Sequence, residues 1–226
     1  MTPAAATSAL TPVCFARARR APPLVAIAAS ALPHDVAIAL SNALPFLRCG
    51  EESAVHAFGR RLAGIARDSP AAERAALNAI TEDEVRHATW LEALAAALPA
   101  PDRAPPPDAM AAFFRRLLTR DPALHFARIA ALDLAVCAIL QPLVGAASAL
   151  AAAPDVIDGL RAIRRDEARH VRVARDCARR LGLGATQQHA LDLALRDELA
   201  SLLAPVRASL RRLGIDVFEP VARHAA

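Results

Sequence analysis

Asp83-Glu84-Val85-Arg86-His87 recurs as Asp166-Glu167-Ala168-Arg169-His170, with four of five letters kept at an offset of 83 residues. Each copy sits in an apolar register of helical spacing. The first face reads Leu77, Ile80, Glu84, His87, Leu91, Leu94 and Leu98. The second reads Val156, Leu160, Ile163, Glu167, His170, Ala174, Cys177 and Leu181. Steps of three and four put these residues on one side of a helix. In both, a Glu and a His interrupt an otherwise apolar stripe.

The repeat extends beyond the pentads. Leu77 pairs with Leu160 and Ile80 with Ile163 at the same offset. Upstream, Glu51 falls in the stripe Leu44, Leu47, Val55, Phe58, Leu62 and Ile65, and Asp133 in the stripe Phe126, Ile129, Val136, Leu140 and Leu143. These lone carboxylates precede their E-x-x-H by 33 and 34 residues. A carboxylate in core register is costly unless something compensates it. The chain therefore reads as two helical hairpins related by an approximate two-fold axis.

Composition agrees with helices. The 226 residues are 55% hydrophobic, rich in Ala and Leu, without Tyr and with one Trp. Helix formers dominate and strand formers are sparse. The expected fold is all-α: a four-helix bundle with a crossover connection and an additional C-terminal helix. Residues 1–33 hold five prolines and read as an N-terminal tail, 34–213 as the helical domain and 214–226 as a C-terminal tail. A turn or two of helix is expected before Pro45, and the first major helix from Pro45 to Arg67. Ser69 can cap the second, with Pro70 at its first position, and that helix runs to about Leu98. The Pro-rich stretch 99–108 is the crossover, and a short amphipathic helix follows over 108–119. The third long helix starts at Pro122 after the cap Asp121, with Pro142 kinking it or ending its regular part. The fourth runs from Pro154 to Leu181 and stops at Gly182 and Gly184. The fifth, 185–213, is bent at Pro205.

Four such helices would bring together Glu51, Glu84, His87, Asp133, Glu167 and His170, which is close to the inventory of a two-metal carboxylate site. Glu51 and Asp133 would be terminal ligands, Glu84 and Glu167 bridges, and each His would bind one ion. Glu52, with His56 one turn further on, is the alternative to Glu51. A mixed oxygen and imidazole shell with open positions suits iron or manganese. Ligand histidines usually donate their other ring N–H to an acceptor. Asp83 and Asp166, each four residues before a His, are the natural acceptors on the same helix face, with Arg86 and Arg169 as their ion-pair partners or as partners of each other's acidic neighbours. The pocket wall would comprise Leu47, Phe58, Ile80, Ile129, Val136 and Ile163.

On Glu51, Glu84, His87, Asp133, Glu167 and His170 the chain resembles the ferritin-like di-iron carboxylate superfamily, over about residues 45–181. The D-E-x-R-H form of the pentads is similar to that of its oxygenases and hydroxylases, among them ribonucleotide reductase small subunits and amine N-oxygenases. The resemblance implies two iron ions, or manganese, in a four-helix bundle. It implies dioxygen as co-substrate, oxidation of a small organic substrate and an external electron donor if the reaction is oxygenation. The alternatives are a ferritin-like iron- or peroxide-handling protein and a metal-free helical interaction protein. The departures are informative. Without Tyr there is no tyrosyl radical, and no C-x-x-C pair exists for a rubredoxin-like iron. Asp133 stands where Glu is usual. Ile163 stands where some N-oxygenases carry an extra His.

Charge and cysteines bound the partners. The net charge is only +4, carried by scattered arginines without interleaved aromatics, so nucleic acid is not expected. Three arginines in 17–20 precede the apolar run Leu24–Ala29, but Pro22 and Pro23 open that run and the basic cluster sits late for a secretory signal. Charged or polar residues are expected to break every helix short of bilayer length. The four cysteines lack metal or disulfide-framework spacing. Cys49, Cys137 and Cys177 read as free apolar thiols in a cytoplasmic protein. The fifth helix is left for packing or for a homodimer contact.

Overall fold

The structure, a computed structural model, describes residue 27 and residues 29–54 and 71–216 of the chain. Its elements are all helical. After a 3-10 turn at Ala29–Ala31 come α1 (His34–Ser53), α2 (Ala71–Ala97), α3 (Pro107–Leu117), α4 (Pro122–Val144), α5 (Pro154–Arg180), α6 (Ala185–Leu202), a second 3-10 turn (Ala204–Val206) and α7 (Arg207–Arg212). α1 packs on α2, α4 packs extensively on α5, and α2 meets α5. These four helices form the bundle. α3 lies against α1 and α4, α6 covers α4, and α7 returns to α1.

The first helix begins earlier than expected. α1 runs through Pro45, which is interior to it. An interior proline costs about 3 kcal/mol. Here Val36, Leu40, Leu44, Phe46 and Leu47 are all buried on both sides of it, and burying aliphatic side chains at about 1.5–3 kcal/mol each exceeds that penalty. The remainder of the expected first helix, to Arg67, and the Ser69–Pro70 cap lie outside the described residues.

Local chemistry sets the other boundaries. Asp121 Oδ1 accepts from the backbone N–H of Ala123 (2.9 Å) and Leu124 (3.2 Å), so α4 starts at Pro122. Pro142 lies in its last turn, three residues before Gly145. α5 ends where Gly182 turns to φ 94° and the Leu183 N–H reaches back to the Ala178 carbonyl at 3.0 Å, a Schellman-type stop. The expected fifth helix divides: Pro205 falls in the 3-10 turn between α6 and α7. Gly214 (φ 76°) then closes α7, and the buried Ile215 donates its N–H to the Leu210 carbonyl at 2.8 Å.

The proline-rich crossover is fastened to α1 by side chains. Ser41 Oγ donates to the Pro99 carbonyl (2.6 Å). Asn42 Oδ1 accepts from the Asp102 and Arg103 N–H groups (3.0 and 3.1 Å), and its Nδ2 donates to Asp102 Oδ1 (2.7 Å).

Two expectations are corrected. Cys49 is fully buried and disulfide-bonded, while Cys137 and Cys177 are the free thiols among the described residues; without a C-x-x-C or framework spacing the sequence carries no signal for such a bond. And α4 is by length and composition long and apolar enough to cross a membrane. In the bundle 61% of that apolar stretch is buried, as for a helix packed on both sides by protein.

Candidate metal centre

Glu51 comes from α1, Glu84 and His87 from α2, Asp133 from α4, and Glu167 and His170 from α5. All six are buried. Their ligand atoms form two converging groups: Glu51, Glu84, His87 and Glu167, and Asp133, Glu167 and His170, with the atoms of each group within 4.8 Å of one another. Glu167 belongs to both. Glu84 also approaches the second group, its Oε1 lying 3.3 Å from His170 Nδ1. The two imidazoles lie nearly parallel, with ring centroids 6.0 Å apart and planes at 29°. Glu52 is buried too, but it is not part of either group. His56 lies outside the described residues.

The aspartates are placed otherwise than helical spacing suggests. His87 Nε2 lies 3.3 Å from Asp166 Oδ2, and His170 Nε2 lies 3.2 Å from Asp83 Oδ2. Each histidine thus donates to the aspartate of the opposite pentad. Asp83 and Asp166 face the seam where α2 meets α5, and across a seam the neighbouring helix is nearer than the next turn of the same one. Arg86 pairs with Asp83 and, at 3.4 Å, with Asp166. Arg169 pairs with Asp83 and, at 3.3 Å, with Asp166. Two arginines and two aspartates so form a closed square over the histidines. The Arg86 side chain is 60% exposed, so the square is also the rim toward solvent.

With Nε2 donating outward, each ring turns Nδ1 inward. His87 Nδ1 lies 3.2 Å from Glu167 Oε1 and 3.5 Å from Glu51 Oε2. Burial pulls its pKa down, but the Glu167 and Glu51 carboxylates outweigh burial and carry it to about 11. His170 is pushed to about 12 by the same opposition, with Glu167 and Glu84 prevailing. Burial and the Glu84 charge hold the Glu51 carboxyl well above the usual range. Burial and the Glu167 charge do the same for Asp133. For Glu167 and Asp83 burial is again opposed, and both end below the usual value: Glu167 through the neighbouring His170 and His87 imidazoles, Asp83 through His170 and Arg86.

Divalent metal ions fit this arrangement. Glu51 Oε2, His87 Nδ1, Asp133 Oδ2 and His170 Nδ1 are buried without a hydrogen-bond partner, and orphaned atoms of this kind are rare in a folded core. They belong to the residues whose ligand atoms converge. Four carboxylates and two imidazoles also balance in charge against two divalent ions. Oxygen and imidazole donors suit iron or manganese.

Beside the carboxylates is a cavity of about 40 Å³ lined by Phe46, Leu47, Ile80, Phe114, Ile129, Leu132 and Val136, with Glu51, Glu84, Asp133 and Glu167 at its polar end. Leu47, Ile80, Ile129 and Val136 were expected in this wall, and Phe58 is outside the described residues. Ile163 is buried but does not line this cavity; it lines a separate surface cavity with His87, Trp90 and Asp166. Phe46, Phe114 and Leu132 were missed. Phe114 arrives from α3, whose amphipathic register (Met110, Phe113, Phe114, Leu117) was the available signal. His125 is fully buried beside Phe126.

The chain is thus an all-α bundle with two buried Glu/Asp/His groups consistent with a ferritin-like di-metal site. Comparison with protein-family models, curated proteins and solved structures finds no match to it.

Proposed function

We propose that the chain is a ferritin-like di-metal oxidase or oxygenase that uses dioxygen to oxidise a small organic substrate, with iron, or manganese, as its metal. The observation that carries this reading is the convergence of orphaned buried ligand atoms from four helices beside an apolar cavity. A bound pair of redox-active ions supplies the electrons and the site for dioxygen reduction. The chain does the positioning. Glu51, Glu84 and His87 would hold one ion, Asp133 and His170 the other, and Glu167 both. Asp83 and Asp166 fix the imidazoles through Nε2 so that Nδ1 faces the ions. Phe46, Leu47, Phe114 and Ile129 keep water from the carboxylate end. Electrons for an oxygenation come from an external donor.

One observation favours a second reading. A cavity of about 40 Å³ holds only a few water-sized molecules, which suits dioxygen or peroxide better than a bulky substrate. An iron- or peroxide-handling protein would need no more room.

Metal analysis of protein made in iron-supplemented cells tests the first point, with about two ions per chain expected. Mixing the anaerobic ferrous protein with oxygen tests the second: a transient absorption band, and substrate-dependent oxygen consumption, support the oxygenase reading. Oxygen or peroxide consumption indifferent to every organic substrate favours the second. Absence of metal, with folding unchanged in Glu84→Ala/Glu167→Ala, would sink both.

A further inference from the structure

The two halves of the site are unequal. Four residues converge around His87 and three around His170, with Glu167 counted in each. Three carboxylates serve the first group and two serve the second. The second group's own carboxylate, Asp133, is one methylene shorter than Glu51, its counterpart in the repeat. Glu84 lies close to His170 Nδ1, but it converges as a set with Glu51, His87 and Glu167. Asp133 lines the apolar cavity beside Ile129, Leu132 and Val136, and so do Glu51, Glu84 and Glu167. A site with fewer anionic donors binds a divalent cation less tightly and keeps more positions open.

We propose that the two ions bind in order. The first enters the group of Glu51, Glu84, His87 and Glu167. The second binds more weakly to Asp133, Glu167 and His170. The ion at His170 is then the exchangeable one. This rests on the di-metal part of the function proposed above and is independent of what reaction follows.

Titration of the metal-free full-length protein with MnCl₂ tests it, with free Mn²⁺ counted by its six-line electron-spin signal. Two steps about tenfold or more apart in affinity are expected. An isolated bound Mn²⁺ should accumulate at one equivalent and a spin-coupled pair at two. His170→Ala and Asp133→Ala should lose the weak step and keep the tight one. His87→Ala should lose the tight step. Asp133→Glu, which keeps the charge and restores the longer arm, should narrow the gap, and it serves if an alanine variant fails to fold by circular dichroism. Two equal or cooperative steps would overturn the order and leave the di-metal reading standing. So would a folded His170→Ala protein that lacks the tight step. No Mn²⁺ binding at all would overturn both.

Discussion

The N-terminal hairpin, α1 with α2, and the C-terminal hairpin, α4 with α5, each bury the Asp, Glu and His of the same pentad, yet they do not furnish equivalent ligand sets. Leu77 and Leu160, Ile80 and Ile163, Glu84 and Glu167, and His87 and His170 are buried in matching pairs. The symmetry breaks at the lone carboxylates, Glu51 in α1 and Asp133 in α4. A repeat therefore fixes the helices and the histidines, while the lone carboxylates differ by one methylene, Asp133 against Glu51.

Substituting the shared ligand should erase the comparison. Glu167→Ala is expected to lower affinity for both ions by about 100-fold or more, where Asp133→Ala touches only one, as metal content after dialysis against a weak chelator will report. Crossing the aspartates is the sharper test. Asp83→Ala should weaken the ion at His170, although Asp83 shares a helix with His87, by about 10–100-fold; Asp166→Ala should weaken the ion at His87. Metal titrations of the two variants separate crossed from same-helix pairing.

Protonation ties the halves together. Before loading, His87 and His170 hold protons to about pH 11 and 12, and Glu51 and Asp133 hold theirs above the usual carboxyl range. Loading must displace these protons, so affinity should rise with pH, and calorimetry in buffers of different ionisation enthalpy should register their release. For the metal-free protein the sign is the reverse. The raised imidazole pKa values contribute stability that is fully present below the ordinary value of 6.5 and is lost as pH rises through about 11 and 12. Thermal melts of metal-free protein should therefore fall at alkaline pH more than those of loaded protein.

The smallest expected effects lie at two points of packing. A Cβ on Gly159 of α5 would come within 2.0 Å of the Trp90 ring of α2, so Gly159→Ala should cost about 1–3 kcal/mol. Removing the α4 cap with Asp121→Ala should cost about 1 kcal/mol. Chemical denaturation measures both.

Periodicity made the helices legible, because Glu and His interrupt stripes that are otherwise apolar, and caps such as Asp121 and Gly182 have few other uses. Glu51 was separable from Glu52 only as the residue in register with Leu47. What escaped depends on tertiary contact. Nothing local says that Asp83 turns to α5, since its reach to His87 along the helix is chemically just as reasonable. Pro45 inside α1 escaped because propensity penalises it and the burial that offsets the penalty is long-range. Phe114 escaped because α3 belongs to the crossover, outside the repeat.

The exchange of aspartates has a consequence for folding. Neither hairpin contains a complete His–Asp pair: His87 depends on α5, and His170 on α2. An isolated hairpin would present imidazoles of undefined tautomer and orientation, so the halves cannot be assembled one at a time. The ligand field comes into being only when the hairpins dock. A fragment ending before α4 keeps Glu51, Glu84 and His87 but lacks Glu167 and Asp166, so it should bind metal more weakly, and mixing the two half-chains should restore affinity in proportion to their association. The square of Arg86, Arg169, Asp83 and Asp166 acts as a clasp between the hairpins, so metal affinity and fold stability should be lost together when it is opened.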